Sequence, residues 1–223
     1  MSFKIVEDFV RVDTETISKF EKIHPSTYGH LTDKGIIKSL RPIITPIRLV
    51  GSALTVRIPH LDSTAVHVVL EYAKPGDVVV VNTSGDFDRA CWGGLVTYAA
   101  VKKGINGALI DGMICDLEEI KELGFKIFSR GVGALTTRIL GIEGEIGTDI
   151  AIDGTVIHSG DLIWADEDGI VVLAKEDIDD IYEKIKATEE NEINIKKRID
   201  RGESLAVISG AHKMFHKLNN GVK

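Results

Sequence analysis

The feature that most constrains the fold is an alternation of short β-branched runs with helical patterns between residues 53 and 129. The strand-like runs are residues 53–58, 78–81, 107–111 and 126–129, and the helical patterns between them are residues 63–73, 94–103 and 117–123. Strands that alternate with helices form parallel pairs, because each crossover helix returns the chain to the same end of the sheet. The sequence therefore predicts an α/β domain with a parallel core.

The segments on either side of this alternation predict further elements of the same domain. Residues 9–20 and 30–35 show helical patterns, and residues 43–47 form a strand-like run between prolines. Residues 131–172 are rich in glycine and Ile/Val pairs, with a turn at Asp153-Gly154, which is typical of β structure. Residues 177–201 predict a long charged helix. We therefore divide the chain into an α/β catalytic-type domain, residues 1–175, and a C-terminal helical extension, residues 176–223.

Composition restricts the classes of partner. The 223 residues contain 27 Lys+Arg and 34 Asp+Glu, a net charge of -7, which disfavours direct binding to nucleic acid. No apolar run approaches the roughly 18 residues that cross a bilayer, so we expect no membrane association. The N-terminal residues lack the basic and apolar regions of a signal peptide, and the two cysteines lack the density of a disulfide-rich secreted fold. We expect a cytoplasmic protein.

A polar loop with two glycines precedes the second predicted helix. The loop NTSGDFDRACWGGL follows the four valines, and Gly93 and Gly94 open the helix. The free backbone N–H groups of Gly94, Leu95 and Val96 can bind a carboxylate or phosphate, although a Gly-Gly pair also fits a plain tight turn. Arg89 in this loop either contacts such an anion or pairs with a neighbouring aspartate, Asp86 or Asp88.

The next strand ends in a second candidate loop, ALIDGMICD, with a carboxylate just before a helix. Ligands of open α/β sheets gather at the C-terminal ends of strands, so both loops are expected to face one crevice. Asp116 fits either a metal ligand or the N-cap of the following helix. Cys115 fits either a nucleophile or a packed thiol.

The long C-terminal helix carries an acid on its apolar stripe. Ile, Thr and Glu side chains recur at spacings of three and four residues along it, and Glu192 lies among them. A carboxylate on an apolar stripe favours a polar site formed partly by a neighbouring chain. The alternative is that the helix projects into solvent and Glu192 is hydrated.

Three runs together identify a resemblance. PGDVVVVNTSGDFDRACWGG, AAVKKGINGALIDGMICDLEEIKELGFKIFSRG and HSGDLIWADEDGIVVL resemble the 4-hydroxy-4-methyl-2-oxoglutarate aldolase family, which also includes the regulator of ribonuclease E activity and was formerly labelled dimethylmenaquinone methyltransferase. The resemblance covers residues 28–172. It implies a single swivelling β/β/α-type domain, assembled as a homotrimer or homohexamer with active sites between subunits.

The resemblance also implies the composition of the site. It assigns substrate-carboxylate binding to the backbone of Gly93, Gly94, Leu95 and Val96, and a divalent metal, Mg²⁺ or Mn²⁺, to Asp116. It further implies that Glu192 of an adjacent chain approaches the metal through water. The expected activity is retro-aldol cleavage of a small 4-hydroxy-2-oxo acid through a pyruvate enolate, with oxaloacetate decarboxylation as a related reaction.

One residue departs from the aldolase pattern. The aldolases have arginine immediately before the metal aspartate, where this chain has Cys115, which cannot supply a bidentate cation. Either Arg89 or Arg130 provides that charge from another direction, or the substrate is a different one; we count Asp116, Arg89 and Cys115 as candidate catalytic residues. The alternative hypothesis is a non-catalytic regulator of ribonuclease activity that acts by protein–protein binding.

Overall fold

The computed structural model describes residues 2–220, with side chains described to residue 217. The chain forms two compact units, one up to Asp179 and one from Asp180 onward, and each is described by itself. The first unit contains the predicted parallel core. The division between the units falls within the first turn of the long C-terminal helix.

The first unit contains all of the described strands and five of the described helices. The strands are β1 (Phe3–Ile5), β2 (Ile36–Ile37), β3 (Arg41–Pro42), β4 (Arg48–Arg57), β5 (Asp77–Asn82), β6 (Ala90–Trp92), β7 (Gly107–Ile114), β8 (Ile127–Val132), β9 (Gly144–Ile146), β10 (Ile150–Ile152), β11 (Thr155–Ile157), β12 (Leu162–Asp166) and β13 (Ile170–Leu173). The helices are α1 (Thr14–Phe20), α2 (Pro25–Tyr28), α3 (Thr64–Tyr72), α4 (Gly94–Lys103) and α5 (Leu117–Glu122).

The main sheet has the order β2-β13-β12-β4-β5-β7-β8-β3. Its centre consists of β4, β5, β7 and β8, and each adjacent pair among these four is parallel. Helices α3, α4 and α5 belong to the crossovers between these strands. This arrangement confirms the predicted α/β core. It also brings the ends of β5 and β7 side by side, because Asn82 pairs with Asp111.

Strand β5 shows that the sheet is covered on both faces. Its four consecutive valines, Val78 to Val81, are all completely buried. Val79 and Val81 join a core with the buried side chains of α3, α4 and α5. Val78 and Val80 join a second core with the antiparallel hairpin β10–β11. An unbroken apolar run is therefore stable here, as in other sheets buried on both faces.

Two local predictions are wrong. Residues 43–47 are not a strand: the chain pairs at Arg41–Pro42 and again from Arg48, and a cis bond at Thr45–Pro46 lies between. Pro42 and Pro46 have no N–H to donate to a ladder, which limits strand pairing in this segment. Residues 30–35 are not helical either. The helix in this region is α2, which begins at Pro25, a residue favoured at the first helical position.

The second unit consists of helices. After the short 3₁₀ turn Lys175–Asp177, helix α6 (Ile178–Asp200) runs for 23 residues and is followed by α7 (Leu205–Ile208) and α8 (Ala211–Asn220). The predicted long C-terminal helix is therefore confirmed. Among the described residues, no helix combines the length and the apolar character needed to cross a membrane.

Candidate active site

The start of α4 is fixed by the residues on both sides of Gly93. Trp92, at the end of β6, is buried and its indole Nε1–H donates to Thr97 Oγ1 at 2.9 Å. The Thr97 hydroxyl donates in turn to the Gly93 carbonyl at 2.9 Å, and the Thr97 backbone N–H donates to the same carbonyl at 3.0 Å. The first turn of the helix is thus held against the buried end of a strand.

The first-turn N–H groups of α4 have different environments. The Gly94 N–H donates to Asp116 Oδ2 at 2.9 Å. Within the part of the chain that the structure describes, the N–H groups of Leu95 and Val96 have no protein acceptor. Unpaired N–H groups at the positive end of a helix dipole attract anions. The predicted anion site therefore retains two donors, while the third is occupied by a carboxylate of the protein itself.

The glycine pair allows close packing against α5 and the residues before it. A Cβ atom on Gly93 would lie 2.6 Å from Asp116 Oδ2 and 2.8 Å from Cys115 Sγ. A Cβ atom on Gly94 would overlap Glu119 Oε2. Both positions accept only glycine without displacement of these side chains. The Gly-Gly sequence thus does more than form a tight turn: it admits two carboxylates to the start of α4.

Asp116 occupies the N-cap position of α5 but its side chain does not cap that helix. Its backbone is left-handed, with φ 54° and ψ 44°, which is uncommon for a residue other than glycine. The carboxylate turns towards α4, where Oδ2 accepts from Gly94 N–H, and the Cys115 thiol donates to the same oxygen at 3.5 Å. Among residues 2–220, Oδ1 has no partner. The structure therefore contradicts the side-chain N-cap alternative, and the metal-ligand role of Asp116 stays a prediction.

Asp116 opens onto a depression that is entirely acidic. The depression has a volume of about 530 Å³ and is lined by Asp116, Glu118, Glu119 and Glu122. None of the described basic side chains lines it. Sequence reasoning missed the three glutamates, although Glu119 and Glu122 follow Asp116 at intervals of three residues on a predicted helix, which places them on one face.

The chain as a whole is similar to known proteins. The model of the RraA-like family, described as Aldolase/RraA, matches residues 23–172. The chain belongs to this family. A Halalkalibacterium halodurans protein provisionally named 4-hydroxy-4-methyl-2-oxoglutarate aldolase is 30% identical over 92% of this chain and 98% of its own length. A Methanocaldococcus jannaschii protein, MJ0644, is 34% identical over 79% of this chain and 86% of its own length.

Solved structures have the same RraA-like fold. The crystal structure of Streptomyces coelicolor RraAS2, described as an unusual member of the RNase ES inhibitor RraA protein family, has a TM-score of 0.76 and 25% identity over 84% of this chain and 98% of that chain. An uncharacterized Pseudomonas syringae protein has a TM-score of 0.77 and 24% identity over 92% of this chain and 97% of that chain. The fold prediction is confirmed.

Cys115 is a neutral thiol in this RraA-like site. It is half-buried, and burial together with the neighbouring Asp116 carboxylate raises the pKa of the Cys115 thiol to about 11. Cys91 lies deeper, and burial raises its pKa to about 12. Neither cysteine has the lowered pKa of a catalytic nucleophile. The packed-thiol interpretation of Cys115 therefore fits the structure better than the nucleophile interpretation.

The two candidate arginines are engaged in other contacts. Arg89 Nε lies 3.4 Å from Asp86 Oδ2, and its Nη1 donates to the Thr136 carbonyl at 3.3 Å. Of the two alternatives for Arg89, the structure therefore contains the pair with Asp86. Arg130 donates to Asp111 Oδ1 from Nε at 2.8 Å and from Nη2 at 2.7 Å. Neither guanidinium lines the acidic depression.

Arg130 belongs to a partly exposed charge network near the ends of β7 and β8. Its guanidinium lies 3.7 Å from the centroid of the Phe87 ring and 3.8 Å from Asp153 Oδ1. Burial raises the pKa of Asp111, and the hydrogen bonds and charge of Arg130 act against that rise. The ion pair of Asp111 with Arg130 is best explained as a support for the ends of β7 and β8.

The donor set is suitable for a hard divalent cation. Mg²⁺ is usually held by one or two carboxylates and retains several waters. Asp116 offers one carboxylate oxygen without a protein partner at the rim of an open depression, and these features fit such an ion. No group of three or more His, Cys, Asp or Glu side chains within residues 2–220 could hold a metal by itself. Glu192 lies in the second unit, on α6, and its predicted role at a neighbouring chain's metal stays a prediction.

Proposed function

We propose that this RraA-like protein is a divalent-metal-dependent lyase that cleaves a small 4-hydroxy-2-oxo acid to release pyruvate, and that it also decarboxylates oxaloacetate. The observation that carries the proposal is the Asp116 carboxylate, held by Gly94 N–H with its second oxygen open. This group lies beside the two unpaired N–H groups of Leu95 and Val96. The relative that is provisionally named an aldolase supports the same activity.

The protein groups supply binding and orientation. The Leu95 and Val96 N–H groups bind the substrate carboxylate at the start of α4, where the helix dipole favours negative charge. Asp116 would hold Mg²⁺ or Mn²⁺, because its left-handed backbone turns the carboxylate towards α4. The chemistry supplied by the bound ion is electrophilic stabilisation of negative charge that develops on the 2-oxo oxygen.

Local electrostatics explain why an anionic substrate needs a cation here. Asp116 and Glu119 both lie against the start of α4, and neither forms an ion pair with a described basic residue. A substrate carboxylate at Leu95 and Val96 would therefore be repelled by both side chains. A divalent ion on Asp116 reverses the sign of the nearest charge. The acid-lined depression thus supports a metal-dependent reaction of an oxo acid.

Assembly and location complete the proposal. We propose a cytoplasmic homotrimer or homohexamer in which Glu192 of a neighbouring chain approaches the metal through water. The amphipathic stripe of α6 supports such an arrangement, because an acid among apolar residues needs a polar environment. Arg89 remains a candidate catalytic residue only if it exchanges its contact with Asp86 for one with the substrate.

A second candidate function is a non-catalytic regulator of ribonuclease activity that acts by protein–protein binding. The structural likeness to Streptomyces coelicolor RraAS2 favours it, as does the replacement of the aldolase arginine by Cys115. A regulator of this kind has no need of a metal ligand. Calorimetry with Mg²⁺ and Mn²⁺ separates the two candidates, since the lyase binds a divalent ion and this second candidate requires none.

The direct test measures pyruvate release from oxaloacetate and from 4-hydroxy-4-methyl-2-oxoglutarate, with Mg²⁺ or Mn²⁺ and with EDTA. We expect turnover that EDTA abolishes and that Asp116→Asn reduces on the order of 100-fold or more, because charge stabilisation is lost. Asp33→Asn is the matched control, since Asp33 is exposed and outside the site. Turnover that survives EDTA or Asp116→Asn would contradict the proposal.

A further inference from the structure

The last two helices, which we call the α7–α8 segment, expose a cluster of apolar side chains. Met214 and Phe215 of α8 are each more than half exposed, and so are Leu205 and Val207 of α7, which contacts α8. Apolar side chains that cluster at a surface mark an interaction site, because their contact with water is unfavourable. The α7–α8 segment therefore has the surface of a docking element.

The same segment is basic within an acidic chain. Residues 204–223 contain three lysines, two histidines and no acid, whereas the whole chain has a net charge of -7. Lys213 and Lys217 lie one turn apart on α8, both are exposed, and within the described residues neither forms an ion pair. A basic amphipathic helix favours a partner that presents apolar and acidic side chains side by side.

The outer face of α4 and α5, which we call the α4–α5 face, has this composition. Helix α4 exposes three apolar side chains at intervals of three residues, namely Leu95, Tyr98 and Val101. Helix α5 exposes three acids, namely Glu118, Glu119 and Glu122.

The two halves of the α4–α5 face are adjacent. The Glu119 carboxylate lies against Gly94, the residue before the first exposed apolar side chain of α4. The lysines of α4 lie in its last turn, and none of the described basic side chains lines the acidic depression on α5. The α4–α5 face and the α7–α8 segment thus have the same layout, apolar beside charged, with charges of opposite sign.

We propose that the α7–α8 segment of a second copy of this chain docks on the α4–α5 face, with its apolar side chains against those of α4 and its lysines against the acids of α5. Charge complementarity supports a second copy as the occupant, because every chain carries both surfaces. A contact between two different surfaces of identical chains is head-to-tail and forms a ring when the rotation closes.

This inference rests on the proposed homotrimer or homohexamer and extends it. The assembly proposed above assigns only Glu192 to a neighbouring chain, whereas the inference names both contacting surfaces. Docking would also bring the lysines of α8 to the depression onto which Asp116 opens. The neighbouring chain would then add positive charge beside the candidate active site.

The test measures the association of the full chain by analytical ultracentrifugation at low ionic strength. Lys213→Glu combined with Lys217→Glu should weaken association roughly tenfold or more, because each reversal replaces an attraction with a repulsion. Adding Glu118→Lys and Glu122→Lys to that variant should restore association, because the signs are then opposite again. Restoration by a second pair of substitutions also excludes misfolding as the cause of the first effect.

A matched control makes the same charge change elsewhere. Lys22 and Lys34 are exposed in the first unit and lie outside both surfaces. Lys22→Glu combined with Lys34→Glu should leave association unchanged. Equal weakening by both lysine pairs would mean that net charge, and not a specific contact, controls association.

A crosslinking experiment identifies the chain that supplies the α7–α8 segment. A photoreactive p-benzoylphenylalanine replaces Tyr98 in an isotopically heavy chain, which is mixed with unmodified light chain at low concentration and then concentrated so that subunits exchange. Illumination should join heavy position 98 to light peptides from residues 204–217. Crosslinks to this segment only within the heavy chain would show that the segment covers its own chain and would overturn the proposal.

The remaining outcomes also decide the proposal. Unchanged association in Lys213→Glu combined with Lys217→Glu, or no restoration by the glutamate reversals, would overturn it. Binding to phosphatidylserine vesicles that requires Lys213 and Lys217, with unchanged association, would assign the segment to a membrane surface instead. Pyruvate release tests the lyase function separately, so a failure of this docking contact leaves that function standing.

Discussion

Two aspartates lie in equivalent connections of this fold but have opposite environments. Asp62 lies between β4 and α3, and Asp116 lies between β7 and α5. Asp62 is completely buried, and its carboxylate accepts hydrogen bonds from the Thr64 backbone and hydroxyl and from the backbone N–H groups of Leu140 and Ile142. Asp116 is exposed and accepts from one backbone N–H and one thiol.

The difference shows how one residue type serves as scaffold in one place and as site in another. The protein donates three hydrogen bonds to Asp62 Oδ1 and one to Oδ2, so this side chain joins α3 to the segment before β9. Asp116 keeps one oxygen open at the surface. Acceptor capacity, more than position in the chain, separates the two aspartates.

The largest expected effect on this comparison comes from exchanging each aspartate for asparagine and measuring the free energy of unfolding. Asp62→Asn should destabilise the protein by about 3 kcal/mol, because an amide NH₂ would replace an acceptor that faces buried N–H donors. Asp116→Asn should change the free energy of unfolding by less than about 1 kcal/mol, because the site is exposed. Chemical denaturation of both variants beside the unmodified protein provides the measurement.

The same two variants, Asp62→Asn and Asp116→Asn, should also differ in activity. Asp62→Asn should retain its turnover per folded molecule, whereas Asp116→Asn should lose it. A loss of activity in folded Asp62→Asn, or a large loss of stability in Asp116→Asn, would show that the division between scaffold and site is wrong.

A smaller effect concerns pH. Burial raises the pKa of Asp62, but the hydrogen bonds from Thr64, Leu140 and Ile142 outweigh it and lower the pKa to about 2, from an ordinary value of 3.8. A lowered folded-state pKa stabilises the protein above about pH 4, and this contribution is lost as the pH falls towards 2. It amounts to about 2 kcal/mol.

Denaturation curves between pH 2 and pH 7 provide the check. The stability gap between the unmodified protein and Asp62→Asn should be full above about pH 4 and should shrink as the pH falls. A gap that stays constant down to about pH 2 would mean that the Asp62 carboxylate is not stabilised by its donors.

The central part of the fold was predictable because its signals are local. Four buried valines, three crossover helices and their turns lie within residues 53–129, and each strand pairs with the next strand of this alternation. The pairing of the outer strands was less predictable from the sequence. Strand β12 pairs with β4 across more than 100 residues, and β3 pairs with β8, so their neighbours are set by distant residues that no local pattern encodes.

The site was predictable to the extent that strand ends converge. Gly93, Gly94 and Asp116 were candidates because each follows a strand of one parallel sheet. Glu119 was not, because its importance comes from the packing of α5 against the start of α4, and a helix sequence does not indicate which of its exposed acids faces a neighbour. The pairing of Arg89 with Asp86 was one of its two predicted alternatives, whereas the pairing of Arg130 with Asp111 depends on tertiary packing.

The smallest expected effect is that of Gly93→Ala. This variant tests whether Gly93 is needed to keep the Asp116 carboxylate in its observed position. Gly93→Ala would place a Cβ 2.6 Å from Asp116 Oδ2, so the carboxylate must move away from Gly94 N–H. Gly93 has an extended backbone that any residue adopts, so the change should cost less than about 1 kcal/mol of stability. We expect a roughly tenfold loss of kcat/KM, about 1.4 kcal/mol, through misplacement of one ligand.

Gly133→Ala is the control, since its Cβ meets Met113 Cγ at an ordinary 3.6 Å. Equal losses in both variants would argue against a specific role of Gly93, whereas a loss confined to Gly93→Ala would tie activity to the same Asp116 geometry that distinguishes it from Asp62.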